Sequence, residues 1–142
     1  MADRTKRPNP TRDEYAEAAA VREALRAFQR SSDVVTARHD LTSRTYQLLL
    51  MIKTARNAGS RAGLAELEER LQLGRSTITE LVLRTEERGY VRRELDPEHR
   101  GAIRVALTPR GERRLASACA ELGDQRRALI DVLAKLKPRA AA

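Results

Sequence analysis

The feature that most constrains the fold is a run of short elements between Leu64 and Leu107. Leu64, Leu67 and Leu71 recur at helical spacing, and Leu73-Gly74-Arg75 reads as a turn. A second helix is predicted from Ser76 to Arg88, ended by Gly89. Tyr90 to Glu94 and Ala102 to Leu107 then alternate as strands do, with Val91 and Leu95 facing Ile103, Val105 and Leu107. Between them LDPEHRG, Leu95 to Gly101, gathers turn-forming residues. Two short helices joined through a glycine make a helix-turn-helix signature, and a hairpin directly behind them makes it winged.

The flanks are helical. Ala18, Val21, Leu25, Phe28, Ser32 and Val35 alternate by three and four along a long helix predicted from Asp13 to about Arg38, a seam for another helix. Such a helix exceeds what a small domain needs for itself, so part of it is expected to meet a second chain. Thr42 is the expected N-cap of a helix running to about Asn57, and its run of Leu48, Leu49, Leu50, Met51 and Ile52 places it centrally. Asn57-Ala58-Gly59-Ser60 reads as a loop. Thr108-Pro109 is a strong helix start, with a capping hydroxyl and then proline at the first helical position. Leu115, Ala118, Cys119 and Leu122 form the apolar stripe of that helix. A last helix is predicted from Asp124 to Leu136, stopped by Pro138.

The expected architecture is therefore mainly α with a small β-hairpin wing. Residues 1–12 form a flexible basic arm and residues 13–142 a single domain. Within it a winged helix-turn-helix module covers about 42–107, and dimerisation helices cover about 13–38 and 108–137.

Charge narrows the partner. The net charge of +8 favours an anionic one, nucleic acid before membrane. By segment it is +3 over 1–12, zero over 13–74, +1 over 75–107 and +4 over 108–142, so the excess lies at the ends and not on the module itself. No segment approaches the roughly 20 apolar residues of a membrane span. The N-terminus, which has no apolar stretch, is not expected to be a secretory signal, and a single cysteine makes a reducing cytoplasm the expected compartment. Two histidines, one cysteine and no glycine-rich phosphate loop leave no zinc ligand set and no nucleophile–base pair. Neither an enzyme, nor a metal, nor a cofactor is expected.

The second helix of the module carries the candidate contacts to double-stranded DNA. Ile78, Leu81, Val82 and Thr85 share its inward face. Arg75, Ser76, Thr77 and Thr79 crowd its N-terminal end, where short donors and free backbone N–H groups suit a phosphate. Farther along, Glu80 can accept from a cytosine amino group and Leu83 can touch a thymine methyl, with Arg84 beside them. A wing next to a major-groove helix falls over the adjoining minor groove. Arg100 at its tip suits that narrow, negative groove, and His99 is its neighbour. Asp96 is expected to grip the Arg100 guanidinium bidentately and aim it. The alternative is a solvent-exposed pair worth only ~0–1 kcal/mol.

The segment STITELVLRTEERGYVRRELDPEHRGAIRVALTPRGERRL, 76 to 115, resembles the multiple-antibiotic-resistance regulator (MarR) family of bacterial transcription factors, and the order of elements matches from residue 13 to about 136. The resemblance implies a winged-helix homodimer that binds a near-palindromic operator, most commonly as a repressor. It also implies that Asp96 and Arg100 correspond to the family's wing pair, and Arg84 to an arginine frequent in that helix. Glu80, Leu83 and Thr85 depart from the usual residues at their positions. The first two bear on which operator is read. The third should loosen packing of the helix slightly.

The resemblance further implies a small aromatic or anionic effector bound between the dimerisation helices and the module, with Phe28, His39, Arg44 and Tyr46 as candidate lining. Each has an ordinary alternative: Phe28 in the seam, Tyr46 in the core, His39 at a helix end. Cys119 is open to two readings, a redox switch or a buried structural thiol. A different class of function also stays open. The acidic residues Glu80, Glu86 and Glu87 suit a winged fold that contacts protein or coats DNA without sequence preference.

Overall fold

The computed structural model describes residues 7–56 and 59–136. Among the described residues, six helices and three strands follow in the order α1 (Arg12–Arg38), α2 (Ser43–Lys53), β1 (Arg61–Gly63), α3 (Leu64–Leu71), α4 (Arg75–Glu87), β2 (Val91–Leu95), β3 (Ile103–Leu107), α5 (Pro109–Glu121) and α6 (Gly123–Lys135). The chain forms two compact units. One runs from Ser32 to Gly123; the other is built from the chain up to Ser31 and from Asp124 onward. The first is wider than the module expected from sequence, because it takes in the last turns of α1 and all of α5.

In the larger unit, α2 is the central element. Leu48, Leu49 and Ile52 are fully buried, and α2 packs on α3, β1, β3 and α5. Thr42 caps it as expected, its hydroxyl accepting the Thr45 N–H at 3.0 Å. The helix stops at Lys53, four residues short of the predicted end. Thr54 turns its hydroxyl back onto the Leu50 carbonyl at 2.8 Å, and Arg70 of α3 donates to the carbonyls of Met51 and Thr54 at 2.9 and 3.2 Å. These bonds satisfy the orphan acceptors of the last turn. Asn57 and Ala58 lie outside the described residues.

The sheet has three antiparallel strands in the order β1-β3-β2. The hairpin was legible in the sequence; β1 was not. Its three residues, Arg-Ala-Gly, carry no strand signal of their own and are extended because they pair with β3, Ala62 opposite Val105. In the hairpin Val91 stands opposite Leu107 and Leu95 opposite Ile103. The expected alternation holds at the base, where Val91, Val105 and Leu107 are buried, and runs out at the tip, where Leu95 is 76% exposed.

Tyr90, assigned to the strand from sequence, precedes it. Its ring is buried and its hydroxyl donates to the Asp40 carboxylate at 2.9 Å. Thr108 caps α5 through the Gly111 N–H at 3.1 Å, with Pro109 at the first position as predicted. Gly111 has a reason of its own: a Cβ there would sit 2.0 Å from the Tyr90 carbonyl oxygen. Leu115, Ala118 and Leu122 of α5 complete the core, and Cys119 packs partly buried against it.

In the other unit, Thr11 and Glu14 form a reciprocal capping box at the start of α1. The Glu14 carboxylate accepts the Thr11 N–H at 2.6 Å, and the Thr11 hydroxyl accepts the Glu14 N–H at 3.2 Å. Helix thus begins inside the segment assigned to the basic arm; residues 1–6 of that arm lie outside the described residues, as does Pro138. The apolar seam of α1 is buried only at Ser32 and Val35, both in the larger unit, while Leu25 is 42% exposed. No residue of α6 is buried, and its Ile130 and Leu133 are 57% and 42% exposed.

Candidate nucleic-acid interface

The helix-turn-helix is α3, the turn Gln72–Gly74 and α4. The turn differs from expectation in which residue bends it. Gln72 adopts the left-handed conformation (φ 55°), and Gly74 is an extended N-cap (φ −71°). The Gln72 side-chain amide donates to the Glu69 carbonyl at 2.6 Å, a local bond of the kind that lets a polar residue occupy this region. Having no side chain to cap α4, Gly74 leaves the first-turn N–H groups open beside Ser76 and Thr77.

Ile78, Val82 and Thr85 of α4 are buried, and the Thr85 hydroxyl donates to the Leu81 carbonyl at 2.7 Å, so the suspected loose spot is a satisfied one. Ser76, Thr79, Glu80, Leu83, Arg84 and Glu87 are exposed, and Thr77 is half-buried. The polar groups on this face are largely committed. Arg75 is paired with Glu68 of α3 at 2.7 Å, which raises the guanidinium pKa through the hydrogen bond to that carboxylate. The Thr79 hydroxyl donates to the Arg75 carbonyl at 2.9 Å, leaving only its lone pairs for another partner. Arg84 is paired with Glu80 one turn back. Glu86, counted from sequence among the outward acids, is turned to the hairpin, where it accepts the Arg93 N–H at 3.0 Å and its guanidinium at 3.1 Å.

The wing tip overturns one expectation. Asp96 does not hold Arg100. One of its oxygens accepts the Glu98 N–H at 2.9 Å, and the other lies 3.3 Å from the His99 ring. The backbone hydrogen bond, with the nearby charges of Arg104 and His99, holds the Asp96 carboxyl below its ordinary pKa. Its own N–H donates to the Ala102 carbonyl at 3.0 Å, and Gly101 turns the chain with φ 77°. Asp96 therefore builds the turn, because backbone N–H groups two residues on are closer partners than a long side chain four residues away. Arg100 is exposed and has no ion pair or hydrogen bond among the described residues. At the root of the wing, Glu94 bridges Arg61 at 2.6 Å and Arg92 at 2.8 Å, and these hydrogen bonds lower its pKa.

Of the four candidate effector residues, His39, Arg44 and Tyr46 belong to the larger unit and Phe28 to the other. Tyr46 is in the core and Arg44 is exposed. Phe28 lies in the other unit, on an apolar groove lined by Ala24, Ala27, Leu129 and Val132. His39 lines a polar groove of about 340 Å³ with Arg110, Arg113, Arg114 and Ser117. It is held by Glu121, which also pairs with Arg38 at 2.9 Å. Sequence reading missed this arginine row. Its signal was the spacing of Arg110, Arg113, Arg114 and Ser117, which puts all four on one face of α5.

Residues 39–100 match a family model described as the MarR family. The chain is 30% identical over 128 residues to the HTH-type transcriptional regulator TtmR of Methylorubrum extorquens (strain PA1), covering 83% of this chain and 64% of that relative. Among solved structures it is similar to AbsC, a MarR family transcriptional regulator from Streptomyces coelicolor, with TM-score 0.77 at 20% identity over 88% of this chain and 84% of that one. It is also similar to Sco3205 from the same organism, a MarR family regulator in complex with DNA, with TM-score 0.73 at 24% identity over 89% of this chain and 78% of that one. No helix of the described residues is long and apolar enough to cross a membrane. Residues 39–100 thus match the MarR family model, and in fold the chain is similar to solved MarR family regulators over most of its length.

Proposed function

We propose that the chain is a sequence-specific, DNA-binding transcriptional regulator that acts as a homodimer on a near-palindromic operator, with repression as the outcome. The observation that carries this reading is the face of α4, exposed from Ser76 to Glu87 with an uncapped N-terminus, beside a wing whose Arg100 has no partner among the described residues. A helix with this exposure fits a major groove, and an unpaired arginine a short distance away fits the adjacent minor groove. The solved relative Sco3205 is in complex with DNA, which supports the same use of the module here. In this role the N–H groups and hydroxyls around Ser76 and Thr77 take a phosphate, Leu83 meets a thymine methyl, and Arg100 enters the minor groove.

The dimer is supported by the unburied apolar side chains of α1 and α6, Leu25, Ile130, Val132 and Leu133, each at least 38% exposed. Two modules one DNA turn apart, ~34 Å, then read a palindrome. An anionic effector is supported by the groove beside His39. Three arginines on one helical face repel one another, and among the described residues none of them has an ion pair. The protein-contact reading is weakened, since Glu86 is engaged by Arg93 and Glu80 by Arg84, which leaves Glu87 as its one unpaired acid among the described residues.

Footprinting the purified chain on duplex DNA at rising salt tests the proposal. The expected result is protection of one defined near-palindrome. Protection of the whole duplex would identify a coating protein, and no protection a protein adaptor.

A further inference from the structure

At the centre of the exposed face of α4 lies an ion pair, not a cation. Glu80 and Arg84 are four residues apart, in the favourable order along the helix, and their side chains are 61% and 72% exposed. Arg75, the other cation of this face, is tied to Glu68. Glu87 adds a further negative charge without a partner of its own among the described residues. The middle of this helix therefore offers no net attraction to a phosphate backbone. A carboxylate aimed at a polyanion weakens binding to every sequence unless it has a base to accept from.

The chemistry of the groove edge says which base. A carboxylate only accepts hydrogen bonds, and the major groove offers amino donors at cytosine N4 and adenine N6. A guanidinium only donates, and its planar fork is matched best by the two acceptors of guanine, O6 and N7. Cytosine N4 and guanine O6 are neighbours on the edge of one base pair. An acceptor and a donor already held together on one helical face match that edge.

We infer that Glu80 and Arg84 act as one reading unit that selects a C·G pair in each half-site, the carboxylate taking the cytosine amino group and the guanidinium the guanine. The inference rests on the DNA-reading role proposed above. It makes Glu80 a specificity-determining residue whose presence lowers general affinity. Arg84 has two functions: it contacts guanine, and it neutralises Glu80 on approach to the duplex.

The test is a set of titrations of the full chain against a duplex selected from a random pool and its single-base-pair variants, repeated with Glu80→Gln and Arg84→Ala. With the native chain, one position per half-site should prefer C·G by about 5- to 150-fold. Glu80→Gln should erase that preference and tighten binding to unrelated duplexes. Arg84→Ala should lose the same preference and weaken binding to all duplexes, because Glu80 is left unneutralised. Retention of every base preference in Glu80→Gln, with affinity raised uniformly, would make Glu80 a solvated charge and overturn the inference while leaving the DNA-reading role intact. A native chain that prefers no duplex would overturn both.

Discussion

At the scale of single residues, the wing shows how a motif can be identified correctly and its internal contacts misread. Asp96 and Arg100 were both visible as wing-tip residues; their expected grip was not what the backbone allows. Asp96 takes the Glu98 N–H instead, and Arg100 stands free of it. Arg100→Ala should weaken binding to a selected operator by about 1–3 kcal/mol and leave the oligomeric state unchanged, as read by parallel titration and sedimentation. Unchanged affinity would remove Arg100 from the interface. Asp96→Asn keeps an acceptor for the Glu98 N–H, so operator affinity should stay near native; Asp96→Ala loses the acceptor and should weaken binding. Equal losses in both variants would mean that the charge of Asp96, and not its turn, is what matters. The pH dependence has a definite sign. Because the folded carboxyl lies below its ordinary value, its contribution to stability is present above the unfolded pKa and is lost as the pH falls through the folded one. The Glu98 amide resonance, followed by acid titration, should report that loss, and Asp96→Asn should abolish it.

At the scale of elements, legibility follows how local the causes are. Helices α2, α4 and α5 were readable because their caps and apolar periods lie within their own sequence: Thr42, Thr108-Pro109, and the Ile78, Val82, Thr85 face. Strand β1 was not, since Ala62 is extended only because β3 pairs with it. Nor was the early end of α2, which depends on Arg70 arriving from α3. The LTPRG segment was recognised as a helix start, while the need for its glycine comes from Tyr90, 21 residues away. Gly111→Ala places a methyl against the Tyr90 carbonyl, which already accepts the Thr108 N–H at 3.0 Å, and should destabilise by about 1–3 kcal/mol in denaturant unfolding. A neutral effect would mean that α5 can shift off Tyr90. Leu49→Ala empties a fully buried site on the central helix and should cost about 2–5 kcal/mol in the same measurement.

At the scale of the whole molecule, the sequence supplied the order of elements apart from β1, and the place of α4 behind the turn. It gave no view of how charges are spent. Most arginines of the module are engaged by carboxylates: Arg75 by Glu68, Arg84 by Glu80, Arg93 by Glu86, Arg61 and Arg92 by Glu94. The net charge of +8 therefore overstates what the module itself offers a duplex, and sequence selectivity has to come from shape and base edges. Affinity for unrelated DNA should be modest and fall with added salt, and a plot of log affinity against log salt should be shallower for Arg100→Ala by about one unit. An unchanged slope would place Arg100 away from the backbone and the minor groove.

The most direct measurement is selection of duplexes from a random pool by the full chain at about 0.15 M salt. The expected outcome is one enriched motif, repeated with two-fold symmetry and with half-site centres about 10 base pairs apart. A pool that stays unenriched, or a single unrepeated half-site, would contradict the paired use of α4 on DNA.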